Sequence, residues 1–180
     1  GAKLEQMTDV IIRQTNDLRR IVDEFSKFAR MPEPELKMCD LTTLVRDAVA
    51  LQSAGQPDVV IHADLPDEAI LAELDGTMIS QALTNLIKNA GEATESYRDT
   101  HTGPDYQSQI RVALTRTDGH VTITIQDNGV GLPEDRARLF EPYVTTRDKG
   151  TGLGLPIVKK IIEEHAGTLT LTDAEIFAGQ

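Results

Sequence analysis

Three glycines at alternate positions, Gly150, Gly152 and Gly154, run directly into a predicted helix. Backbone N–H groups at such glycines can approach a phosphate closely, because no Cβ stands in the way. A helix that begins there adds unpaired N–H donors and the positive end of its dipole. The segment 149–155 therefore predicts binding of a nucleotide polyphosphate, although glycine-rich turns also serve as plain helix starts. Its spacing matches neither a Walker loop nor a dinucleotide fingerprint.

Two asparagines four residues apart, Asn85 and Asn89, lie within a long predicted helix. At this spacing both side chains project from one helix face, while Leu83, Leu86 and Ile87 occupy the apolar side. An amide oxygen is a neutral, hard ligand that suits Mg²⁺, which keeps several waters and takes other ligands from phosphates. Taken alone, two asparagines on a helix are more often exposed polar residues.

Asp127 ends an apolar predicted strand and is followed by Gly129 and Gly131. A carboxylate in that position can accept a hydrogen bond from the exocyclic amine of adenine, and the glycines let the ring come close. Taken alone, the Asp-Asn-Gly sequence would be an ordinary turn at the end of a strand.

Residues 139–147 offer an aromatic anchor, two hydroxyls and a cation just before the glycine segment. Arg147 and Lys149 are candidate phosphate contacts. The alternative for this stretch is a surface loop with an anchoring phenylalanine.

The composition limits the class of protein. A length of 180 residues fits one ordinary domain with a small attachment, and only 4% aromatic residues, with no Trp, require an aliphatic core. A net charge of −11 argues against nucleic acid and anionic membranes as partners. The single cysteine, Cys39, excludes an internal disulfide and a cysteine-based zinc site. No apolar run approaches the about 20 residues that span a bilayer, so we expect a soluble, cytoplasmic segment.

Residues 3–30 predict one long helix with seam residues spaced alternately by three and four. The seam, interrupted once by Gln14, consists of Leu4, Met7, Ile11, Leu18, Ile21, Phe25 and Phe28. This heptad pattern favours a coiled-coil or four-helix-bundle helix over a simple core-facing amphipathic helix. Pro32 and Pro34 cannot continue the helix, so we predict that a separate domain begins at residue 35.

The remaining segments predict interspersed helices and strands. The predicted helices cover about 41–53, 77–97 and 153–165. Asp40 should cap the first of them, and its expected inner face is Leu41, Leu44, Val45, Ala48 and Leu51. The predicted strands are 36–39, 59–63, 69–74, 110–117, 121–126 and 168–172, and the predicted loops are 98–107 and 128–152.

A hairpin around Asp118-Gly119 among these elements indicates an α+β fold. We expect a two-layer sandwich in which helices cover one face of a mixed, mostly antiparallel sheet, preceded by the long helix.

The chemistry-bearing segments occur in the order found in one family. Over about residues 36–173, the chain resembles the catalytic, ATP-binding domain of bacterial sensor histidine kinases, whose superfamily includes DNA gyrase B, Hsp90 and MutL. The segments similar to the N, G1, F and G2 boxes of that family are Asn85–Ala90, Asp127–Gly131, Leu139–Arg147 and Gly150–Leu155.

Residues 1–34, and Arg20–Pro32 in particular, resemble part of the second helix of the dimerisation and phosphotransfer hairpin in nitrogen-regulation sensors of the NtrY and NtrB type. The resemblance implies that residues 35–180 form the ATP-binding domain with the Bergerat-type fold of the GHKL superfamily, ending before the family's last strand.

The resemblance also implies roles for matched residues. Asn89 should ligate Mg²⁺ with Asn85 nearby on phosphate or metal, and Asp127 should bind the adenine amine. Residues 132–152 should form a mobile lid over ATP. The implied ATP-binding residues are Asn85, Lys88, Asn89, Asp127, Gly129, Gly131, Tyr143, Thr145, Thr146, Arg147, Lys149, Gly150, Thr151, Gly152, Leu153, Gly154 and Leu155. Glu92 and Ala93 stand where many members carry Lys and Tyr, so no role is carried over to them.

The activity implied by the resemblance is that of a protein histidine kinase. The γ-phosphate of ATP would pass to a histidine on a hairpin helix, within a homodimer, and then to the receiver domain of a response regulator. Such a domain is the cytoplasmic portion of an inner-membrane-anchored bacterial sensor. None of His62, His101, His120 and His165 has the helical context and acidic neighbour of a phosphoacceptor. We therefore expect that helix to lie outside this fragment, which would not phosphorylate itself.

Two other functions stay open from the sequence. One is an ATP hydrolase or conformational clamp of the same superfamily, and the other is a non-catalytic nucleotide-binding or dimerisation module. Hydrolysing members carry a glutamate at the position of Asn85, where it activates water. Since an asparagine cannot act as a base, we expect slow intrinsic hydrolysis.

Overall fold

The computed structural model describes residues 1–101, 103–141, 154–174 and 177, except the side chains of Glu24, Lys27 and Phe28. The first element is α1 (Ala2–Ala29), which confirms the long helix predicted from the heptad pattern. It ends before Pro32 and Pro34, as their lack of an N–H donor requires. Most of its seam residues, among them Leu4, Met7, Ile11, Leu18 and Phe25, are exposed. Among the described residues, no helix combines the length and apolarity needed to cross a lipid bilayer.

Helices and strands then follow one another along the rest of the chain. The helices are α2 (Leu41–Gly55), α3 (Gly76–Thr100) and α4 (Gly154–Glu164), and a 3₁₀ helix covers Arg136–Phe140. The strands are β1 (Lys37–Asp40), β2 (Val60–Asp64), β3 (Leu71–Leu74), β4 (Gln109–Thr117) and β5 (His120–Asp127). These elements confirm the predicted α+β class.

The described strands form two sheets. β1 pairs with β3 in an antiparallel ribbon, and the second sheet has the order β2-β4-β5. In that sheet β2 and β4 are parallel, with Val60 opposite Gln109, whereas β4 and β5 form an antiparallel hairpin. Asp118 and Gly119 at its turn have φ values of 51° and 79°, the left-handed conformation that a two-residue hairpin turn requires. The pairing is thus mixed and mostly antiparallel, as predicted.

The core lies between the three-stranded sheet and helices α2, α3 and α4. Along β4 every second residue, Ile110, Val112 and Leu114, is buried, so one face of the sheet points into the core. Fully buried aliphatic residues from the helices fill the space above it: Val45, Ile87, Ile157, Val158 and Ile161. This packing fixes α3, which carries the two candidate asparagines.

Aspartates cap the first two core helices. Asp40 accepts hydrogen bonds from the N–H of Thr42 (3.0 Å) and the hydroxyl of Thr43 (2.7 Å), which confirms the predicted cap of α2. Asp75 accepts from the N–H groups of Met78 (3.2 Å) and Glu35 (3.0 Å) at the start of α3. The hydrogen bond from Thr43 is the main cause of a lowered pKa at Asp40, and those from Met78 and then Glu35 lower the pKa of Asp75.

Three local predictions were wrong. Leu51 is 65% exposed and Val49, at 8%, is buried instead, because the buried stripe of α2 is centred nearer Val45. Residues 168–172 form no strand; the carbonyl of Leu171 accepts a hydrogen bond from Arg136 (3.3 Å) rather than from a neighbouring strand. The predicted loop 98–107 begins late, since α3 continues to Thr100.

Candidate functional site

The N-box face of α3 points toward the start of α4. Asn85 and Asn89 are half-buried and Lys88 is exposed. A Cβ built on Gly154 would lie 3.8 Å from Nδ2 of Asn89, so the first residue of α4 is adjacent to that amide. The first-turn N–H groups of a helix attract anions such as phosphate, and an asparagine amide oxygen can bind Mg²⁺. The two kinds of group lie side by side here, at the start of α4 and at Asn89.

The turn after β5 packs against the same helix, about one turn beyond Asn89. The N–H of Val130 donates to the carbonyl of Ala93 (3.3 Å), and the N–H of Gly129 donates to Oδ1 of Asp127 (2.9 Å). A Cβ on Gly129 would clash with the backbone of Ala93, so only glycine fits this close approach. Gly131 has a φ of 79°, which also favours glycine. Asp127 is therefore held beside the N-box helix.

A set of contacts that the sequence did not predict surrounds Asn128. Oδ1 of Asn128 accepts from the N–H of Gln109 (2.9 Å) and the hydroxyl of Tyr106 (3.1 Å), and Nδ2 donates to the carbonyl of Gln107 (2.8 Å). Burial raises the pKa of Tyr106, and the negative charge of Asp127 acts in the same direction. The only available signal was an asparagine between Asp127 and a glycine, which is common in turns.

The predicted aromatic anchor of the F box is in place. Phe140 ends the 3₁₀ helix, and Nζ of Lys159 in α4 lies 5.2 Å from its ring centroid, a cation–π contact. Lys159 also pairs with Glu163 (3.8 Å). Part of the predicted lid, the 3₁₀ helix Arg136–Phe140, therefore contacts α4 through Phe140.

Of the four histidines, His165 is half-buried, whereas His62, His101 and His120 are exposed. His165 directly follows α4, and its Nε2 accepts from the N–H of Asp75 (3.0 Å) while Nδ1 lies 2.7 Å from the carbonyl oxygen of Ile161. Because Nε2 accepts from the N–H of Asp75, the geometry assigns the ring N–H that faces Ile161 to Nδ1. His62 is in β2, His101 stacks on Tyr97 and His120 begins β5.

Nine predicted residues lie outside the described part of the chain. They are Tyr143, Thr145, Thr146, Arg147, Lys149, Gly150, Thr151, Gly152 and Leu153. Of the glycine segment, the structure describes Gly154 and the half-buried Leu155 at the start of α4. The described residues therefore bring together the N box, the G1 box and the end of the G2 box.

The fold and this gathering of boxes agree with the sequence comparison. Residues 74–179 match the family described as "Histidine kinase-, DNA gyrase B-, and HSP90-like ATPase", and the chain belongs to that family. It is accordingly an ATP-binding domain of the histidine-kinase type.

A particular relative is the nitrogen regulation protein NtrY of Azorhizobium caulinodans, to which the chain is 51% identical over 171 residues. This match covers 94% of the chain but 22% of NtrY, so the chain spans about a fifth of that relative's length. Among solved structures, full-length ShkA in complex with AMPPNP aligns with a TM-score of 0.67 at 27% identity, over 91% of this chain and 35% of that one. The nucleotide-free catalytic domain of histidine kinase ThkA aligns with a TM-score of 0.60 at 30% identity, over 72% and 81%.

Proposed function

We propose that this domain binds ATP with Mg²⁺ and presents the γ-phosphate to a histidine of a sensor histidine kinase of the NtrY type. The observation that supports it is the arrangement around α3, the helix that carries Asn89. The start of α4 lies beside Asn89, and the turn that follows Asp127 packs against the same helix. A carboxylate for the base and a helix N-terminus for the phosphates are what an adenine nucleotide needs.

The described side chains fit the metal as well as the nucleotide. Asn89 is half-buried beside Gly154 and offers an amide oxygen, the kind of hard ligand that Mg²⁺ accepts when phosphates supply the others. When bound, the ion would neutralise phosphate charge. Asn85, one turn earlier on α3, would contact phosphate or metal.

The domain's contribution to phosphoryl transfer would be positioning and charge stabilisation rather than covalent chemistry. Asp127 would fix the base, and the start of α4 would hold the phosphates. Arg147, Lys149 and the glycines of the G2 box, which lie outside the described residues, would close over them as a lid.

The acceptor histidine is proposed to lie elsewhere in the whole protein. His165, for example, uses both ring nitrogens in hydrogen bonds within the domain, so neither can attack a phosphate without breaking one. The exposed apolar seam of α1 supports its role as a hairpin helix that packs in a dimer. The phosphate would then reach an aspartate of a response regulator, and a sensor of this kind would be anchored in the inner membrane.

Calorimetric titration with a non-hydrolysable ATP analogue and Mg²⁺ tests the nucleotide site. Asp127→Asn should weaken binding about 10-fold or more, because an amide presents only one acceptor oxygen and loses the charge. The matched control is Asp118→Asn at the exposed hairpin turn, which should bind like the unmodified chain. Equal affinity for all three chains would contradict the proposed base contact.

Phosphotransfer is tested by adding labelled ATP to the chain together with a separately produced histidine-containing hairpin of the same protein. Acid-labile, base-stable label on the hairpin is the expected result. Rapid phosphate release without labelling would support the hydrolase, and binding without either reaction would support a non-catalytic module.

Asn85→Glu separates the kinase from the hydrolase further. A carboxylate at this half-buried position of α3 should activate water and raise basal ATP hydrolysis. Asn85→Gln, which lengthens the side chain without adding a base, is the control. If Asn85→Glu hydrolyses ATP no faster than the unmodified chain, Asn85 does not explain slow hydrolysis.

A further inference from the structure

Asn128 joins two loops at the base end of the site. Its side chain bridges the turn after β5 to the segment that leads into β4, through hydrogen bonds with Tyr106, Gln107 and Gln109. Its backbone N–H also donates to the carbonyl of Gln109 (3.3 Å). Asn128 is covalently joined to Asp127, so whatever fixes Asn128 restricts where the Asp127 carboxylate can point.

Tyr106 connects this turn to the end of α3. Its hydroxyl lies 3.1 Å from Oδ1 and 3.2 Å from the carbonyl oxygen of Asn128, so its one proton serves both acceptors. Its ring packs on Tyr97 with centroids 4.6 Å apart, and Tyr97 in turn stacks on His101 at 3.8 Å. The contacts therefore run from α3 through two tyrosine rings to Asn128.

We propose that Tyr106 and Asn128 are positioning residues that hold the Asp127 carboxylate in register with the nucleotide base. This inference rests on the proposed nucleotide-binding function and names two residues through which that site distinguishes adenine from other bases. Recognition of an amine by a carboxylate needs placement to within about 0.5 Å, and the hydrogen bond from the N–H of Gly129 is one of the contacts that place Asp127.

The contacts also predict which half of the ligand depends on Tyr106. The tyrosine touches the end of α3 and the turn at Asn128, whereas the phosphate end of the site lies at Asn89 and Gly154. Loss of the Tyr106 hydroxyl should therefore weaken recognition of the base and leave the phosphate contacts unchanged.

The test compares ADP with purine riboside diphosphate, which lacks the exocyclic amine, by calorimetric titration of the chain. In Tyr106→Phe the Kd for ADP should rise about 3- to 10-fold, the effect of one lost hydrogen bond, while the Kd for the amine-free analogue changes less than about 2-fold. Tyr97→Phe is the control, since Tyr106 and not Tyr97 donates to Asn128. It should keep the preference for ADP intact.

A second variant guards against a purely structural effect. Asn128→Ala removes all three side-chain hydrogen bonds and should reduce the preference for ADP more than Tyr106→Phe does, with the melting temperature measured in parallel. Equal weakening of both ligands, or an unchanged preference in both variants, would overturn the inference while leaving nucleotide binding itself in place. If the unmodified chain does not bind ADP, the proposed function fails and the inference fails with it.

Discussion

Helices α1 and α3 carry similar apolar patterns but bury them very differently. In α1, Ile11 is 59% exposed, whereas in α3, Ile87 is fully buried against the sheet and the neighbouring helices. An apolar stripe shows that a helix needs a partner, and only the rest of the chain decides whether that partner lies within the same fold. α3 packs within the domain, and α1 exposes a seam suited to another helix.

The two helices also begin differently. Asp75 caps α3 and accepts hydrogen bonds from two backbone N–H groups, while α1 starts after Gly1 without a side-chain cap. The start of α3 is further tied to the end of α4, because the N–H of Asp75 donates to His165. The helix that positions the site is therefore fixed at its first turn as well as along its buried face.

The largest expected difference is in the loss of stability when an isoleucine on the apolar stripe of α3 or of α1 is shortened to alanine. Ile87→Ala should lower the free energy of unfolding by about 2–5 kcal/mol, because it removes buried methyl groups and leaves a cavity. Ile11→Ala should change it by less than about 0.5 kcal/mol. Urea unfolding followed by circular dichroism measures both. A comparable loss in Ile11→Ala would show that the seam of α1 is packed in solution.

The cap of α3 should have an intermediate effect. Asp75→Ala should cost about 1 kcal/mol, since the N–H groups of Met78 and Glu35 lose their acceptor. Asp75→Asn should lose less, because its one amide oxygen can still accept from the N–H of Met78 while the bond from Glu35 is lost. The bond to His165 uses the backbone N–H and should survive in both. A stable Asp75→Ala variant would show that the capping hydrogen bonds add little.

Acid should destabilise the domain through the caps of α2 and α3. Hydrogen bonds lower the pKa of Asp40 and Asp75 in the folded chain below the ordinary value of 3.8, so their contribution is fully present above that pH. It is lost as the pH falls through the lowered values, where the folded carboxylates take up protons. Urea midpoints measured between about pH 6 and pH 2.5 should fall in the native chain and fall less in Asp40→Asn.

The smallest effect is expected at Leu51. Leu51→Ala should change the free energy of unfolding by less than about 0.5 kcal/mol, because the side chain is exposed, whereas Val49→Ala on the buried stripe should cost about 1–3 kcal/mol. Chemical denaturation of the two variants gives the comparison. If Leu51→Ala lowered the free energy of unfolding more than Val49→Ala, Leu51 would belong to the inner face of α2, as the sequence predicts.

Local signals predicted most of the helices, the cap at Asp40 and the hairpin, whereas the cap at Asp75 was not predicted. Of the box residues, the structure describes the approach of Gly154 to Asn89. Periodicity misplaced Leu51 because it gives the direction of a stripe only to within a residue or two. It also predicted a strand at 168–172, where the Leu171 carbonyl accepts from a side chain instead. The role of Tyr106 could not be predicted, since its partner Asn128 follows 22 residues later and only folding brings them together.

The sheet has a consequence for the order in which the domain folds. β4 and β5 are joined by a two-residue turn and can pair locally. In contrast, β3 and all of α3 separate β2 from β4 in the sequence, so the pairing of β2 with β4 closes a long loop. Closing such a long loop costs entropy before its contacts contribute, so we expect the hairpin in the folding transition state and the β2 edge to join late. High φ-values for Val112 and Ile125 with low values for Ile61 would support this order, and the reverse pattern would exclude it. Asp127 and Asn128, which we propose to act in recognition of the base, would then be ordered early, before the rest of the proposed nucleotide site forms.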